Sequence, residues 1–556
     1  MAHDHDQGDL DAQIRQTQLE YLEGTLNRRA FVRRMTALGG AVAASSVLAP
    51  LLPAVRPATA LAAGSPVRGG TLHYGQDLEP SPENPISSPW MDDANQQMYE
   101  YMLVQGPDGK FVGQLAQSYT VSADNLTWTF ALKRNKTFHD GTPFNAASAK
   151  WFFDMLRDPT VGNPFRIYWA SVDSITTPGP YTVRFQLKHP DANLRFAFGQ
   201  LFAGVVSPAA WKKFGGASYN QGGNYGIKGA AGTGPFMLRE YMAGDHVTLA
   251  RNPNYTNPAP FITNKGTAYL DGIVYKWLPD AATRAIELES GHQDIVHAIA
   301  PPDIARLKSN PNLDIITLPD WQVVWLGFNF TKAPTNDLAL RQAISYAIDR
   351  PAIVQSVLLG YGNVASSFVM KQAPEYWPGS ESYYNYNPAK AKSLLGGKSY
   401  TLKLLTTTTA EDKQNTEIIQ AQLAQVGITV VPQPVDKATF FGVIAKGTFD
   451  MFLFPYVWNN ANIISLFADS ANIPSPDFMR YKNPMVDNLF TASRQAKSFK
   501  DIVSAYQQIQ KILLDDAALV SLYTPTQVWG VNKRVQGFTP FTWQLYAYLQ
   551  DAWLSK

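Results

Sequence analysis

Four places in the 556-residue chain hold residue types that could do chemistry. His139 beside Asp140 could be half of an acid–base pair, but no Ser in a strained elbow accompanies it. Asp140-Gly141 also reads as a turn. His292 and His297 stand five apart across a Gly turn, which is not the spacing that puts two metal ligands on one helix face. Gly232-Thr233-Gly234 lacks the Gly-Lys-Ser/Thr ending of a phosphate loop and runs into a strand-like segment, so a turn is expected. Asp515-Asp516 could be the paired acids of glycoside chemistry, yet they sit at a helix end and nothing singles them out. The chain has no Cys, so thiol chemistry, a disulfide framework and a lipid-carrying Cys are excluded. No catalytic set, metal site or cofactor is expected.

A different kind of chemistry is offered by "GTFDMFLFPYVWNN", residues 447–460. It is almost free of charge, dense in rings, and ends on two amides. It fits a buried strand, or a wall against which a ligand sits. Over the whole chain aromatic residues reach 12%, with 13 Trp and 26 Tyr. Large cores account for such richness, and so does a cleft lined with rings, because Trp and Tyr combine rigid area with a polar tip.

The elements that would position these residues alternate between strand and helix. "LTWTFALK" (126–133) and "YTVRFQLK" (181–188) alternate like half-buried strands. Between them Asn145 caps a helix with Ala149, Phe152, Phe153 and Leu156 on its apolar side. "GTGPFMLREYMAGDHVTLARNPNY" reads as turn, strand, tight turn and returning strand, and "DAATRAIELESGHQDIVHAI" as helix, turn and buried strand. Asn336 or Asp337 caps a helix bearing Leu340, Ala343, Ile344 and Ala347 on one face. Residues 400–435 form one βαβ unit, and 499–525 a long helix running into a strand. The class is α/β, and the length calls for two or three domains.

Composition narrows the setting. The chain is 45% hydrophobic and 17% charged, as in soluble globular proteins. "NRRAFVRRM" (27–35), an apolar run over 35–52 and the small residues Ala60, Ala62 and Ala63 make an export signal with a cleavage site. Arg28-Arg29 followed by Phe31 is similar to a twin-arginine signal. Removing 1–63, with six basic and six acidic side chains, leaves the net charge at +2. No basic tract or basic-aromatic stripe remains, so nucleic acid is not an expected partner. An exported chain without a lipid anchor belongs free in the periplasm.

"GQLAQSYTVSADNLTWTFALKRNKTFHDGTPFNAASAKWFFD" resembles the signature segment of the extracellular solute-binding protein family 5, the dipeptide-, oligopeptide- and nickel-binding proteins of ABC importers. "GTGPFMLREYMAGDHVTLARNPNY", "AIELESGHQDIV" and "LRQAISYAIDR" resemble three further signatures in the same order, and the likeness extends to about residue 466. The resemblance implies the type II periplasmic-binding-protein fold: two lobes, a ligand cleft between them that closes by hinge bending, and an extra subdomain near the N-terminus. It places a signal peptide at 1–63, lobe I at 64–100, 226–327 and 525–556, the extra subdomain at 101–225 attached to lobe I, and lobe II at 328–524. The strands crossing between lobes would lie near 327–330 and 521–525.

The resemblance also implies site residues. In peptide-binding relatives the strand after "GTFD" pairs with the ligand backbone. Nine residues beyond that Asp they carry an acid that grips the peptide's free ammonium. Here the position is Asn459, flanked by Trp458 and Asn460, with Asn462 close by. A neutral amide cannot offset a buried ammonium, which costs several kcal/mol uncompensated. The expected ligand is therefore a neutral polar solute (a sugar or oligosaccharide, a blocked oligopeptide or an opine-like conjugate), unless another acid supplies the charge. Tyr456, Trp321, Trp325, Trp90, Met91 and Tyr523 complete the expected ligand-facing set. The implied partners are the membrane subunits of an ABC permease, and the protein is expected as a monomer. A secreted carbohydrate-active enzyme with an aromatic cleft is the competing class, and a periplasmic chaperone or receptor co-ligand a third.

Overall fold

The structure, a computed structural model, describes residues 65–555 except 80–83, 88–91, 217–222 and 542–546, together with scattered positions between 13 and 34. Arg28, Arg29, the cleavage-site alanines, Trp90 and Met91 lie outside the described residues. The described residues divide into two units, one of Pro319–Thr526 with the positions before residue 48, and one of 65–318 with 527–555.

In the first unit, Ile428–Val435, Tyr400–Thr407 and Met451–Val457 lie side by side and parallel. Gln322–Phe328 runs antiparallel to Met451–Val457, and the first half of Leu519–Asn532 antiparallel to Gln322–Phe328. Strand side chains alternate between faces. On one face Leu326, Phe328, Leu402, Leu404, Met451 and Leu453 pack on Leu340, Ile344, Ile419 and Leu423 of the helices Leu338–Ala347 and Ala410–Ala424. The other face carries Trp325, Phe452 and Phe454, whose rings meet Phe368, Phe440 and Phe467. Both faces are covered, which is why "MFLFPYV" is apolar at nearly every position.

Asp337, rather than Asn336, caps Leu338–Ala347 by accepting from the Ala339 amide. A second helix, Arg350–Leu358, follows at once, capped by Asp349. Asp450 closes the start of the ring-rich strand: its carboxylate accepts from the Lys403 amide at 2.7 Å and meets the Lys332 ammonium at 2.6 Å.

In the second unit, Thr71–Gln76 is parallel to Gly272–Trp277 and to Ile295–His297. Gly272–Trp277 continues antiparallel into His246–Arg251 and its hairpin partner Phe236–Met242. Ile295–His297 pairs antiparallel with the last residues of Leu519–Asn532. A separate antiparallel sheet, ordered Ala116–Val121, Thr127–Leu132, Thr182–Leu187 and Val172–Gly179, carries the helix Ala146–Arg157. Asn145 and Ser148 form a capping box there, and Phe153 meets Phe185 edge-on at 5.1 Å.

The units divide at 318/319 and 526/527, where the sequence reading put 327/328 and 524/525. The strand expected at 327–330 begins at Gln322, because it is laddered to Met451–Val457 from that residue onward. Trp325 is thus inside the strand, not ahead of it.

Candidate functional site

Ligands of open α/β sheets bind outside the carboxyl ends of parallel strands. In the first unit those ends are Thr407, Val435 and Val457, and antiparallel pairing brings Gln322 opposite Val457. Trp321, Tyr456, Trp458, Asn459 and Asn460 therefore gather at one edge.

There the chain turns out of the strand. The Trp458 amide donates to the Trp321 carbonyl at 3.0 Å, and its indole Nε1 to Asn462 Oδ1 at 3.1 Å. Asn460 caps the one-turn helix Ala461–Ile463, its Oδ1 accepting from the Asn462 amide at 2.7 Å. Its Nδ2 is buried without a partner among the described residues. A buried donor left unpaired costs about 1–3 kcal/mol. Asn459, Asn460 and Asn462 are all buried while Trp458 and Tyr456 remain half-exposed. Tyr456 tilts against Trp458 with ring centroids 6.5 Å apart, and burial pushes its phenol up to about 12.

Two expected ligand contacts are corrected. Trp325 is wholly buried, 5.0 Å from Phe452 and 5.3 Å from Phe368, and is a ring of the core. Tyr523 is also wholly buried, and its hydroxyl is occupied: it accepts from Asn415 Nδ2 at 2.6 Å and donates to Glu411 at 2.8 Å. Glu411, exposed in the first turn of Ala410–Ala424, is the side chain of that group open to solvent. Trp321 is buried too, and reaches the site through its carbonyl.

The other chemistry-bearing residues are committed to structure. His139 Nδ1 accepts from the Gly232 amide and Nε2 lies 3.0 Å from the Gly234 carbonyl, so the ring is a neutral tautomer, and burial pushes its pKa down to about 4. Gly232 and Gly234 lie so close to the Met98 backbone that a Cβ on either would stand 2.2–2.7 Å from it, which is packing and not a phosphate cradle. Asp515 takes the Tyr383 hydroxyl and Lys511, while Asp516 takes Tyr481 and Asn483. Among the described residues no group of three or more His, Asp and Glu is placed to hold a metal, and no helix is long and apolar enough to cross a membrane. Sequence reasoning weighed His297 only as a metal ligand. Its neighbour across the sheet, Trp529, is too distant in the chain for any local signal to reveal.

Comparison with known proteins agrees with this architecture. The chain is 29% identical to the probable D,D-dipeptide-binding periplasmic protein of Escherichia coli strain K12 over 438 residues, 77% of this chain and 81% of that one. It is 28% identical to the glutathione-binding protein of Shigella dysenteriae over 463 residues, 79% and 86% of the two chains. The periplasmic binding protein DppA of Helicobacter pylori, solved with the peptide STSA, superposes with a TM-score of 0.76 at 22% identity, covering 88% of this chain and 99% of that one. The family model for bacterial extracellular solute-binding proteins, family 5 middle region, matches residues 110–472, about two-thirds of the length, and the chain belongs to that family.

Proposed function

We propose that this protein is the periplasmic substrate-binding component of an ABC importer, and that it captures a neutral polar solute at the carboxyl edge of the Pro319–Thr526 unit. It retains the solute and hands it unchanged to the permease, without turnover or cofactor. The observation that carries the reading is the amide turn: Asn459 where the resemblance implies an acid, followed by Asn460 with a buried, unpaired Nδ2. Such a turn offers donors to carbonyl or hydroxyl oxygens and nothing to offset an ammonium. An N-blocked peptide, an opine-like conjugate or an oligosaccharide meets that demand. The relatives named for dipeptides and glutathione favour the peptide-like members of this set.

Mass spectrometry of whatever co-purifies tests the ligand class, and a series of free peptides there would overturn the neutral-solute reading. Release of a chemically altered ligand would overturn retention without turnover. Asn459→Asp is the paired test. The new carboxylate should weaken binding of N-acetylated peptide amides by about tenfold or more and improve binding of the same peptides with a free amine. No change in either takes Asn459 out of the site. Export by the twin-arginine route is part of the same proposal: with Arg28 and Arg29 both replaced by Lys, precursor should accumulate in the cytoplasm, and normal periplasmic yield would refute the route.

A further inference from the structure

The second unit has a cavity of about 470 Å³ at the amino end of Ile295–His297, away from the carboxyl strand ends where ligands of open α/β sheets bind. One wall is the turn Asn532-Lys533-Arg534, which follows Val531 where that residue stands opposite Ile295. The backbone of the turn is held at four points. The Asn532 amide donates to the Asp294 carbonyl at 2.7 Å and the Lys533 amide to the Asn312 carbonyl at 2.9 Å. The Arg534 carbonyl accepts from the Ser555 amide at 2.8 Å, and the Arg534 amide donates to Asn532 Oδ1 at 3.0 Å. What this wall offers a ligand is therefore side chain.

Those side chains offer donors. Asn532 Oδ1 is spent on the turn, which leaves its Nδ2. Asn310 is in the same state, its Oδ1 accepting from the Asn312 amide at 2.9 Å. Arg534 donates from Nε to Asp294, a fully buried carboxylate whose other oxygen accepts from the His73 amide at 2.9 Å. The guanidinium is thus fixed by one edge, and neither Nη is bonded among the described residues. A fork held in advance loses little freedom when it grips an anion. The Lys533 ammonium donates to the Pro311 carbonyl and has two protons to spare among the described residues. The carboxylate lining the cavity, Glu289, is occupied by Arg306. Two cations and two amide nitrogens therefore line a space whose anion is already paired.

The hydroxyls narrow the ligand. Ser555 donates to the Arg534 carbonyl at 3.2 Å, and Ser290 spends its proton on the Glu287 carbonyl at 3.1 Å or on His292 Nδ1 at 3.2 Å. Both oxygens offer lone pairs and no donor. Sulfate and carboxylates carry no proton at neutral pH and can use only the nitrogen donors. Hydrogen phosphate keeps one proton and can use both kinds of group.

We propose that this cavity binds inorganic phosphate in its hydrogen-phosphate form, at a site separate from that of the transported solute. The probe is potassium phosphate at pH 7.5, titrated calorimetrically into the whole protein at an ionic strength fixed with chloride. Wild type should bind it with a dissociation constant of about 1 mM or tighter. Asn532→Asp keeps the oxygen that holds the Arg534 amide and turns the spare Nδ2 into a carboxylate oxygen, so binding should weaken by about tenfold or more. Lys533→Gln removes an exposed charge, keeps a donor, and should cost about threefold to tenfold; it serves even where Asn532→Asp does not fold. Sulfate should bind about fivefold more weakly than phosphate, and Asn459→Asp should bind phosphate as wild type does. The inference is overturned if wild type binds no phosphate, if both cavity variants bind it unchanged, if sulfate matches phosphate, or if Asn459→Asp loses it. None of these outcomes bears on the neutral-solute reading, which the co-purifying ligand and the peptide titrations test.

Discussion

A fully buried carboxylate of the second unit and the amide turn of the first are built on opposite terms. Glu100, fully buried, receives the Lys136 ammonium on both oxygens at 2.7 and 2.8 Å, the Thr233 hydroxyl at 2.8 Å and the Tyr255 hydroxyl at 3.1 Å. The Lys136 ammonium also sits 4.6 Å from the centre of the Tyr255 ring. Everything there is paired. At the amide turn Asn460 is also buried and keeps a donor with no partner among the described residues. The closed centre ties together segments far apart in sequence. The amide turn leaves one buried donor unpaired among the described residues.

That difference predicts the largest effect. Lys136→Met would leave the Glu100 carboxylate buried without its counter-charge, a loss of about 3–5 kcal/mol. Thermal unfolding should show a drop of many degrees, while the variant that remains folded binds solute as wild type does. A shift as small as that of a surface substitution would mean that the centre is not closed as described.

The same contrast explains what could be read from the sequence. Lys136, Thr233 and Tyr255 all lie in the stretches that resemble the family, and so do Arg341 and Arg350, whose guanidinium groups are spent on the carbonyls of Thr335, Asp516, Ala517, Ala365 and Tyr384. Those signatures encode scaffold, and the scaffold was legible. Asn145 capping Ala146–Arg157, with Ala149, Phe152, Phe153 and Leu156 buried, follows from local rules alone. The direction of a ring is not local. Trp325 and Trp321 look alike in sequence, yet one faces Phe452 and Phe368 while the other lends its backbone to Trp458. The stacking of His297 on Trp529 depends on strand pairing that no sequence window contains. Arg350–Leu358 was missed because it follows Leu338–Ala347 almost without a gap, and only the Asp349 cap marks the break.

A second, intermediate effect concerns pH. Asp93 is buried among Tyr74 and the Ala547 amide, with no cation against it among the described residues, and burial raises its pKa to about 7. His139, also buried, is lowered to about 4. The signs oppose. Asp93 is favoured protonated in the fold, so its contribution is full below about pH 4 and is lost as pH rises through 7. His139 is favoured neutral, so its contribution is full above about 6.5 and is lost as pH falls through 4. Across pH 4–6.5 the two slopes offset each other. Asp93→Asn should therefore unmask a stability that climbs over this window by about 2–3 kcal/mol relative to wild type, read by denaturant titration at stepped pH. His139→Gln should give the mirror image. Parallel profiles for wild type and both variants would show that neither group is held as its burial implies.

The smallest change in stability should accompany a clear change in binding, and it falls on the open side of the comparison. Asn460 has two atoms with separate duties: Oδ1 caps Ala461–Ile463, and Nδ2 has no protein partner. Serine is an N-cap of similar strength, so Asn460→Ser keeps an oxygen to accept at the cap and removes the Nδ2 donor from its place, leaving a hydroxyl on a shorter side chain. Stability should move by no more than about 0.5 kcal/mol, and can even improve, because a buried donor without an acceptor is a cost to the empty protein. Affinity for N-acetyl-alanyl-alanine amide should fall about fivefold to tenfold, the worth of one hydrogen bond in a closed site. A substitution inside a closed centre such as Glu100 cannot behave this way, because every atom removed there leaves a protein partner unpaired. If Asn460→Ser instead destabilises the fold by 2 kcal/mol or more, on the order of losing a whole cap, and leaves affinity untouched, then the amide turn is as closed as the Glu100 centre and the solute binds elsewhere.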